Sequence, residues 1–180
     1  MIGVLASGEG SNLQALIDAG LPVTAVASNR VGARALERAR AHGIGVACFP
    51  LEEFESRAER DRTMADWLEA RGVRLVALAG YLQLLTPDFL ERFPDRVLNV
   101  HPSLLPSFPG LHAVEQALAA GVRETGATVH LVDAGIDTGQ VLVQRPVAVL
   151  PDDTPERLHD RIKGVEHRLL PEVVRELIVQ

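Results

Sequence analysis

Short apolar runs alternate with amphipathic segments along the N-terminal half of the chain, and this alternation constrains the fold more than any other feature. One run, residues 74–79, is apolar at every position after its arginine, as expected of a strand that helices cover on both faces. Strands that alternate with helices indicate an α/β sheet. The predicted strands lie at residues 2–6, 22–27, 46–49, 74–79 and 97–101, and the predicted helices at residues 13–17, 33–41, 55–71 and 87–92.

The pattern changes in the C-terminal part of the chain. Residues 125–132 and 140–149 are β-rich runs joined by a glycine-bearing loop, which predicts a late antiparallel pair, and a helical pattern follows from Thr154 to Ile178. We therefore predict an α/β fold with a Rossmann-like, mostly parallel central sheet, helices on both faces and an antiparallel late strand region. The 180 residues are predicted to form a single domain, with an N-terminal lobe of about residues 1–100 and a C-terminal lobe of about residues 101–180.

The overall charge and the apolar runs exclude several classes of protein. A formal net charge of −6 argues against a broad nucleic-acid surface. No apolar run approaches the roughly 20 residues of a membrane span, and no basic segment typical of a signal peptide precedes the first strand. Cys48 is the only cysteine, so an intrachain disulfide is impossible, which fits a reducing compartment. We expect a cytoplasmic protein without nucleic-acid or membrane partners.

A glycine loop, residues 8–12, follows the first strand and opens the first helix. Such a loop directs backbone N–H groups and the positive end of the helix towards an anion, and Ser11 and Asn12 add a hydroxyl and an amide. Leu13 stands where a dinucleotide fingerprint needs glycine, so the loop favours a mononucleotide-like phosphate over NAD or ATP. The alternative is a tight turn in which Ser11 or Asn12 caps the helix. The Glu9 side chain is expected to turn away from a bound anion.

Asn99 and His101 are separated by one residue of a predicted strand, so their side chains leave the same face. Pro102 ends the strand directly after His101. The carboxyl ends of strands are where open α/β sheets place their ligands. An amide N–H can donate to a developing oxyanion, and a histidine can donate or shuttle a proton near neutral pH. This pair is therefore the first candidate for catalysis.

A second candidate lies in the loop between the two late strands, where Asp133 and Asp137 flank Gly135. A carboxylate beside His101 would favour the protonated imidazolium. The alternative for Asp137 is an Asx-turn in a glycine-containing loop. The sequence alone leaves open whether Asp137 meets His101.

Paired His and Cys residues with the spacing of a metal site do not occur, so we assign no metal. His101 and His112 are too far apart in sequence to form a pair on one helix face. The other histidines in question, His42, His130 and His159, are interpreted as structural or surface residues.

Several segments together resemble one family, the folate-dependent phosphoribosylglycinamide formyltransferases of purine synthesis. The matches occur in the family's order with similar gaps and cover nearly the whole chain. The Asn-x-His-Pro-Ser-Leu-Leu-Pro segment is specific to the wider formyltransferase superfamily, and the Gly-Ser-Asn loop favours this member. The matching segments are residues 7–15 (SGEGSNLQA), 78–81 (LAGY), 98–106 (LNVHPSLLP), 108–112 (FPGLH) and 133–139 (DAGIDTG).

The resemblance implies roles for particular residues. Asn99, His101 and Asp137 match the catalytic trio. The sequence departs from the family at Gln83, where a familiar member has arginine beside the folate; backbone contacts from that segment do not depend on this side chain. The residues implied to bind glycinamide ribonucleotide are Gly10, Ser11, Asn12 and Glu166. The residues implied to contact the folate are Arg57, Leu82, Gln83, Leu84, Leu85, Asn99, Val132, Asp133, Ala134, Gly135, Ile136 and Asp137.

The resemblance also implies a reaction, in which the amine of glycinamide ribonucleotide attacks the formyl carbon of the co-substrate 10-formyltetrahydrofolate. Asn99 and a protonated His101 would stabilise the oxyanion, and Asp137 would sustain the imidazolium charge. The implied partners are these two small molecules, and the chain is expected to act as a monomer or homodimer.

Other functions stay open. A 10-formyltetrahydrofolate hydrolase usually carries an extra N-terminal regulatory domain, whereas the catalytic pattern here starts at Met1. A formyltransferase acting on methionyl-tRNA would be expected to carry a basic C-terminal domain. Two further alternatives come from other classes, an NAD-dependent oxidoreductase and a nucleotide-binding module. Leu13 weighs against the first of these, and the Asn99 and His101 pair weighs against the second.

Overall fold

A computed structural model describes residues 1–179 of the chain. The strands are β1 (Ile2–Leu5), β2 (Val23–Ser28), β3 (Gly45–Cys48), β4 (Leu75–Leu78), β5 (Val97–His101), β6 (Glu124–Leu131) and β7 (Val141–Ala148). The helices are α1 (Ser11–Asp18), α2 (Arg34–Ala41), α3 (Arg57–Glu69), α4 (Pro87–Leu90), α5 (Ala113–Ala119) and α6 (Pro155–Val179), with a 3-10 turn at Leu51–Glu53.

The strands belong to one sheet, in the order β3-β2-β1-β4-β5-β6-β7. Strand β1 pairs in parallel with β2 and with β4, and β2 pairs in parallel with β3. Strands β6 and β7 are antiparallel. These pairings confirm the predicted α/β fold with a mostly parallel sheet and an antiparallel late region.

The chain divides into two compact units, Met1–Leu98 and Asn99–Gln180. In the first unit every residue of β1 and β4 is buried, because helices and neighbouring strands surround them. The side chains of Leu13 and Leu68 are fully buried on α1 and α3. Burial of both strand faces explains why these runs are continuously apolar rather than alternating.

The second unit is built on the β6 and β7 pair, against which α6 packs. Leu158, Ile162 and Leu169 are buried at helical spacing along α6, which gives the helix one apolar face. The hydroxyl of Thr154 accepts a hydrogen bond from the Arg157 N–H at 3.3 Å, as an N-cap does. Helix α5 is not predicted by the sequence pattern.

The glycine loop before α1 lies directly on α2. Gly10 has φ 74°, in the left-handed region that favours glycine, and a Cβ there would lie 2.7 Å from the Ala35 Cβ. The Ala35 N–H donates to the Gly8 carbonyl at 3.0 Å. Both the backbone conformation and the close approach of α2 therefore require glycine at position 10.

Replacing Gly10 by alanine is expected to destabilise the protein by about 1–3 kcal/mol, because the new methyl group strains φ and meets α2. The matched control is Gly8→Ala in the same loop, where the new Cβ would have no neighbouring atom within 4 Å. That variant should stay within about 0.5 kcal/mol of the wild type. Urea unfolding measures both free energies, and equal values for the two variants would contradict this account of the loop.

Candidate active site

The second unit brings together Asn99, His101 and Asp137, the three residues that the family resemblance implies to be a catalytic trio. The Asn99 amide donates to Asp137 Oδ1 at 3.2 Å, and His101 Nδ1 lies 3.3 Å from Asp137 Oδ2. Asn99 and His101 are held by β5, and Asp137 by the loop between β6 and β7. Tertiary structure thus joins a strand end to a loop distant in sequence.

The His101 ring is buried between two acceptors, with only 4% of the residue exposed. Its Nε2 lies 2.7 Å from the Phe108 carbonyl oxygen, and its Nδ1 faces Asp137. A carbonyl and a carboxylate can only accept, so both contacts become hydrogen bonds when the ring is protonated at both nitrogens. The ring is thus held between a carbonyl oxygen and a carboxylate.

The Asp137 carboxylate accepts hydrogen bonds from more than one N–H group. Besides Asn99, the Gly110 N–H donates to Asp137 Oδ2 at 2.7 Å. Burial would raise the pKa of Asp137, but the contact with His130, the Gly110 hydrogen bond and the charge of His101 outweigh it. The pKa of Asp137 is therefore held below its ordinary value, and the carboxylate is ionised at neutral pH.

Asp137 combines a left-handed backbone conformation with side-chain contacts outside its own loop. Its φ is 53°, a conformation that aspartate and asparagine tolerate better than most residues. The Asx-turn of this loop is made by Asp133, whose Oδ1 accepts from the Gly135 N–H at 3.0 Å and from the Thr138 hydroxyl at 2.7 Å. Both carboxylate oxygens of Asp137 instead accept hydrogen bonds from outside this loop.

His130 is part of the same cluster. The sequence pattern, from which His130 was interpreted as a structural or surface residue, gave no sign of this contact. It is 2% exposed, its Nδ1 lies 2.8 Å from the Leu131 carbonyl, and its Nε2 lies 3.4 Å from Asp137 Oδ1. Because the carbonyl only accepts, Nδ1 carries a proton. The neutral ring then accepts from the Asn99 amide at 3.2 Å through Nε2, and the protonated ring donates to Asp137.

The glycine loop in the first unit begins α1 as predicted. Gly10 is the N-cap, and Ser11 and Asn12 lie inside the helix, so the alternative that one of them caps it is wrong. The Glu9 carboxylate bonds instead to Arg34 and Arg38 at 3.0 and 2.9 Å, and these charges offset it. A glycine N-cap offers no side-chain acceptor to the N–H groups of the first turn, which suits them to an external anion.

The remaining predicted residues differ in exposure. In the first unit Arg57, Leu82 and Leu84 are exposed, Gln83 is partly exposed and Leu85 is buried. The Ser7 hydroxyl accepts from the Leu82 N–H at 2.8 Å and so ties this segment to the start of the glycine loop. In the second unit Glu166 is 5% exposed on α6. The loop residues Asp133, Ala134, Gly135 and Ile136 are exposed, and Val132 is partly exposed.

Two further findings concern the described part of the chain. Among residues 1–179, none of the helices has both the length and the apolar character required to traverse a bilayer. Within the same residues there is no group of three or more His, Cys, Asp or Glu placed to hold a metal ion.

The family model described as formyl transferase matches residues 1–174. This match covers nearly the whole chain and agrees with the α/β sheet and the polar cluster at Asp137. The chain therefore belongs to the formyl transferase family.

Individual relatives agree with this family. A phosphoribosylglycinamide formyltransferase of Mycobacterium tuberculosis is 48% identical over 179 residues, which cover 97% of this chain and 83% of the relative. The crystal structure of glycinamide ribonucleotide transformylase 1 from Symbiobacterium toebii superposes with a TM-score of 0.95 at 47% identity, covering 97% of this chain and 85% of that one.

A longer relative is the trifunctional purine biosynthetic protein adenosine-3 of Drosophila melanogaster. It is 43% identical over 185 residues, which cover 98% of this chain. This chain spans only 14% of that protein's length, and 13% of its counterpart in Drosophila pseudoobscura pseudoobscura. The similarity therefore concerns one part of a much larger protein.

The lowered pKa of Asp137 predicts how its contribution to stability varies with pH. The unfolded chain binds this proton more tightly than the folded chain, so the stabilisation is present above the unfolded pKa of about 4 and is lost as pH falls through the folded pKa. Asp137→Asn keeps a residue that tolerates the left-handed backbone. It should cost about 1–2 kcal/mol at pH 7 and progressively less below pH 4.

Urea unfolding of both proteins between pH 7 and pH 3 measures this difference. The control is Asp160→Asn on α6, where an exposed carboxylate lies 3.9 Å from Lys163. That variant should stay within about 0.5 kcal/mol of the wild type at pH 7. A cost of Asp137→Asn that grows as the pH falls would contradict the assignment.

Proposed function

We propose that this chain transfers the formyl group of 10-formyltetrahydrofolate to the amine of glycinamide ribonucleotide, a step of purine synthesis. The products are formyl-glycinamide ribonucleotide and tetrahydrofolate. The observation that carries the proposal is the contact of Asn99 and His101 with the Asp137 carboxylate in a member of the formyl transferase family. Relatives that share most of the chain's length carry names that describe this reaction.

The first step is attack of the substrate amine nitrogen on the formyl carbon, which moves the carbonyl π electrons onto oxygen. Asn99 stabilises that oxyanion through an amide N–H, and a protonated His101 stabilises it through its positive charge. Both hydrogen bonds of the Asn99 amide measure 3.2 Å, at the long end of the usual range. A developing oxyanion is a strong acceptor and would compete for one of these protons.

The second step restores the carbonyl and breaks the bond between the formyl carbon and N10 of the folate. N10 takes up a proton, and the attacking amine loses one. The charge of Asp137 sustains the His101 imidazolium through the contact at Nδ1, and its carboxylate can orient a water or the amine for proton transfer. A partly buried, ionised carboxylate next to a buried histidine supports this division of roles.

The substrate contacts are part of the proposal. Gly10, Ser11 and Asn12 bind the phosphate of glycinamide ribonucleotide at the start of α1, and Glu166 helps to hold the same substrate. The glycine N-cap and the N–H groups of the first turn support the phosphate assignment. The proposed folate contacts are Arg57, Leu82, Gln83, Leu84, Leu85, Asn99 and the loop residues Val132, Asp133, Ala134, Gly135, Ile136 and Asp137.

We further infer that the two substrates are the chain's partners, that the reaction takes place in the cytoplasm and that the chain acts as a monomer or homodimer. A single cysteine, Cys48, is in keeping with a reducing compartment.

Asp137→Asn is expected to lower kcat by at least about 100-fold while the protein stays folded, because the amide removes the charge that sustains His101. The measurement is the absorbance change on release of tetrahydrofolate, with and without glycinamide ribonucleotide. Asp160→Asn on α6 again serves as the matched control and should retain wild-type turnover. Near-wild-type turnover in Asp137→Asn would refute its assigned role.

The same assay tests the reaction itself. Release of tetrahydrofolate that depends on glycinamide ribonucleotide supports the transferase. Equal release without the amine would indicate a hydrolase instead, and an absence of release would leave a binding protein.

A further inference from the structure

Arg60 on α3 is a fully buried arginine, with 0% of the residue exposed. Its Nε and Nη2 both donate to Oδ1 of Asp61, at 2.9 and 2.7 Å, and the Asp61 side chain is equally buried. The desolvation of a buried ion pair offsets much of its Coulombic attraction, so the pair needs further hydrogen bonds to be satisfied. The partners of those further hydrogen bonds indicate which part of the chain the ion pair holds in place.

The further bonds of the pair lead to one segment, residues 83–86. Arg60 Nη1 donates to Oε1 of Gln83 at 3.2 Å, and Oδ2 of Asp61 accepts from the Thr86 N–H at 2.8 Å. The segment is thus held at its first residue through a side chain and at its last residue through the backbone. We call these four residues, Arg60, Asp61, Gln83 and Thr86, the α3 clamp.

A third anchor lies immediately before the clamped segment. The Leu82 N–H donates at 2.8 Å to the hydroxyl of Ser7, which is 1% exposed and donates in turn to Asn29 Oδ1 at 2.6 Å. The backbone from Leu82 to Thr86 is therefore fixed at three points by buried groups.

Two large apolar side chains stand exposed on this fixed backbone. Leu82 is 53% exposed and Leu84 is 49% exposed, although the segment that carries them is anchored. A surface whose backbone is already ordered loses less conformational entropy when a ligand binds. The anchored segment therefore has the properties of a preformed contact edge.

Gln83 supplies the oxygen acceptor for Arg60 Nη1. A glutamine carbonyl can accept from the buried guanidinium, whereas an arginine would offer only donors to it. In this chain the side chain at position 83 is thus used to complete the clamp.

We propose that Arg60 and Gln83 are positioning residues for the formyl donor: the α3 clamp holds Leu82 and Leu84 in the conformation that binds it. This inference rests on the proposed function, which assigns the segment to 10-formyltetrahydrofolate. Neither residue takes part in the chemical step. Loosening the clamp therefore weakens donor binding and leaves turnover at saturation unchanged.

The test is a pair of substitutions in the full-length chain, Gln83→Met and Gln83→Glu. Methionine has a similar length but offers Arg60 no oxygen, and glutamate keeps an oxygen acceptor. Gln83→Met should raise the KM for 10-formyltetrahydrofolate about tenfold, with kcat and the KM for glycinamide ribonucleotide within about twofold of wild type. Gln83→Glu should restore the donor KM to within about threefold of wild type.

Hydrogen exchange gives a second readout that needs no substrate. Amides of residues 82–86 should exchange faster in Gln83→Met than in the wild type, while those of α6 should not change. A merely structural effect on the fold would instead speed exchange throughout the first unit.

Arg60→Met has a matched control on the same helix. Arg62 pairs with Asp88 at 2.8 Å with both side chains about half exposed, so Arg62→Met should behave like the wild type. Arg60→Met should raise the donor KM, and adding Gln83→Met to it should change little more. If Arg60→Met fails to fold, the two Gln83 variants decide the question alone.

Unchanged donor KM and unchanged exchange in Gln83→Met would overturn the proposal, and so would a lower kcat at unchanged KM. A wild-type chain without amine-dependent activity would refute the proposed function instead. The clamp would then be judged by exchange alone, since faster exchange at residues 82–86 supports it and unchanged exchange overturns it.

Discussion

The Asp137 carboxylate accepts hydrogen bonds from the Asn99 amide and the Gly110 N–H, and the rings of His101 and His130 lie against it. Groups from separate parts of the second unit thus meet at one negative charge. Partial burial raises the pKa of this carboxylate, and the contacts with His130, Gly110 and His101 outweigh that effect and keep it ionised. Each of the other polar side chains in the cluster lies in contact with that charge.

This arrangement links the fold to the proposed chemistry. In the proposed reaction, Asn99 and His101 at the end of β5 stabilise the oxyanion, and Asp137 in the loop between β6 and β7 sustains the charge of His101. In the first unit, backbone N–H groups at the start of α1 take the place of basic side chains in the proposed phosphate site, which suits a chain of net charge −6. The cluster at Asp137 and the proposed phosphate site each include a residue at positive φ. This residue is Asp137 in the cluster and Gly10 in the proposed phosphate site.

Much of the fold and part of the candidate site could be predicted, because they depend on local sequence patterns. Apolar runs and helical spacing predicted the strands and most of the helices, and strand periodicity placed Asn99 and His101 on one face. The long C-terminal helix after Thr154 was predicted from the same helical spacing. The two-residue period and the following Pro102 are signals that one sequence carries by itself.

The rest depends on contacts between residues distant in sequence. The family resemblance predicted that Asp137 belongs to the site with His101. The sequence spacing between the two residues carried no such information. His130 was missed because a histidine within a strand gives no sign of which loop faces it. Arg60 lies in a helix rich in charged residues, a pattern typical of surface arginines, and its burial follows from Asp61 and Gln83.

The central claim is that Asp137 acts through His101, and a double-variant cycle tests it most directly. The measurement is kcat for His101→Ala, Asp137→Asn and the two changes combined. Residues that act as a unit are strongly non-additive, so the double variant should turn over about as slowly as His101→Ala alone. A double variant whose loss equals the product of the two single losses would show that the residues act independently and would contradict the account.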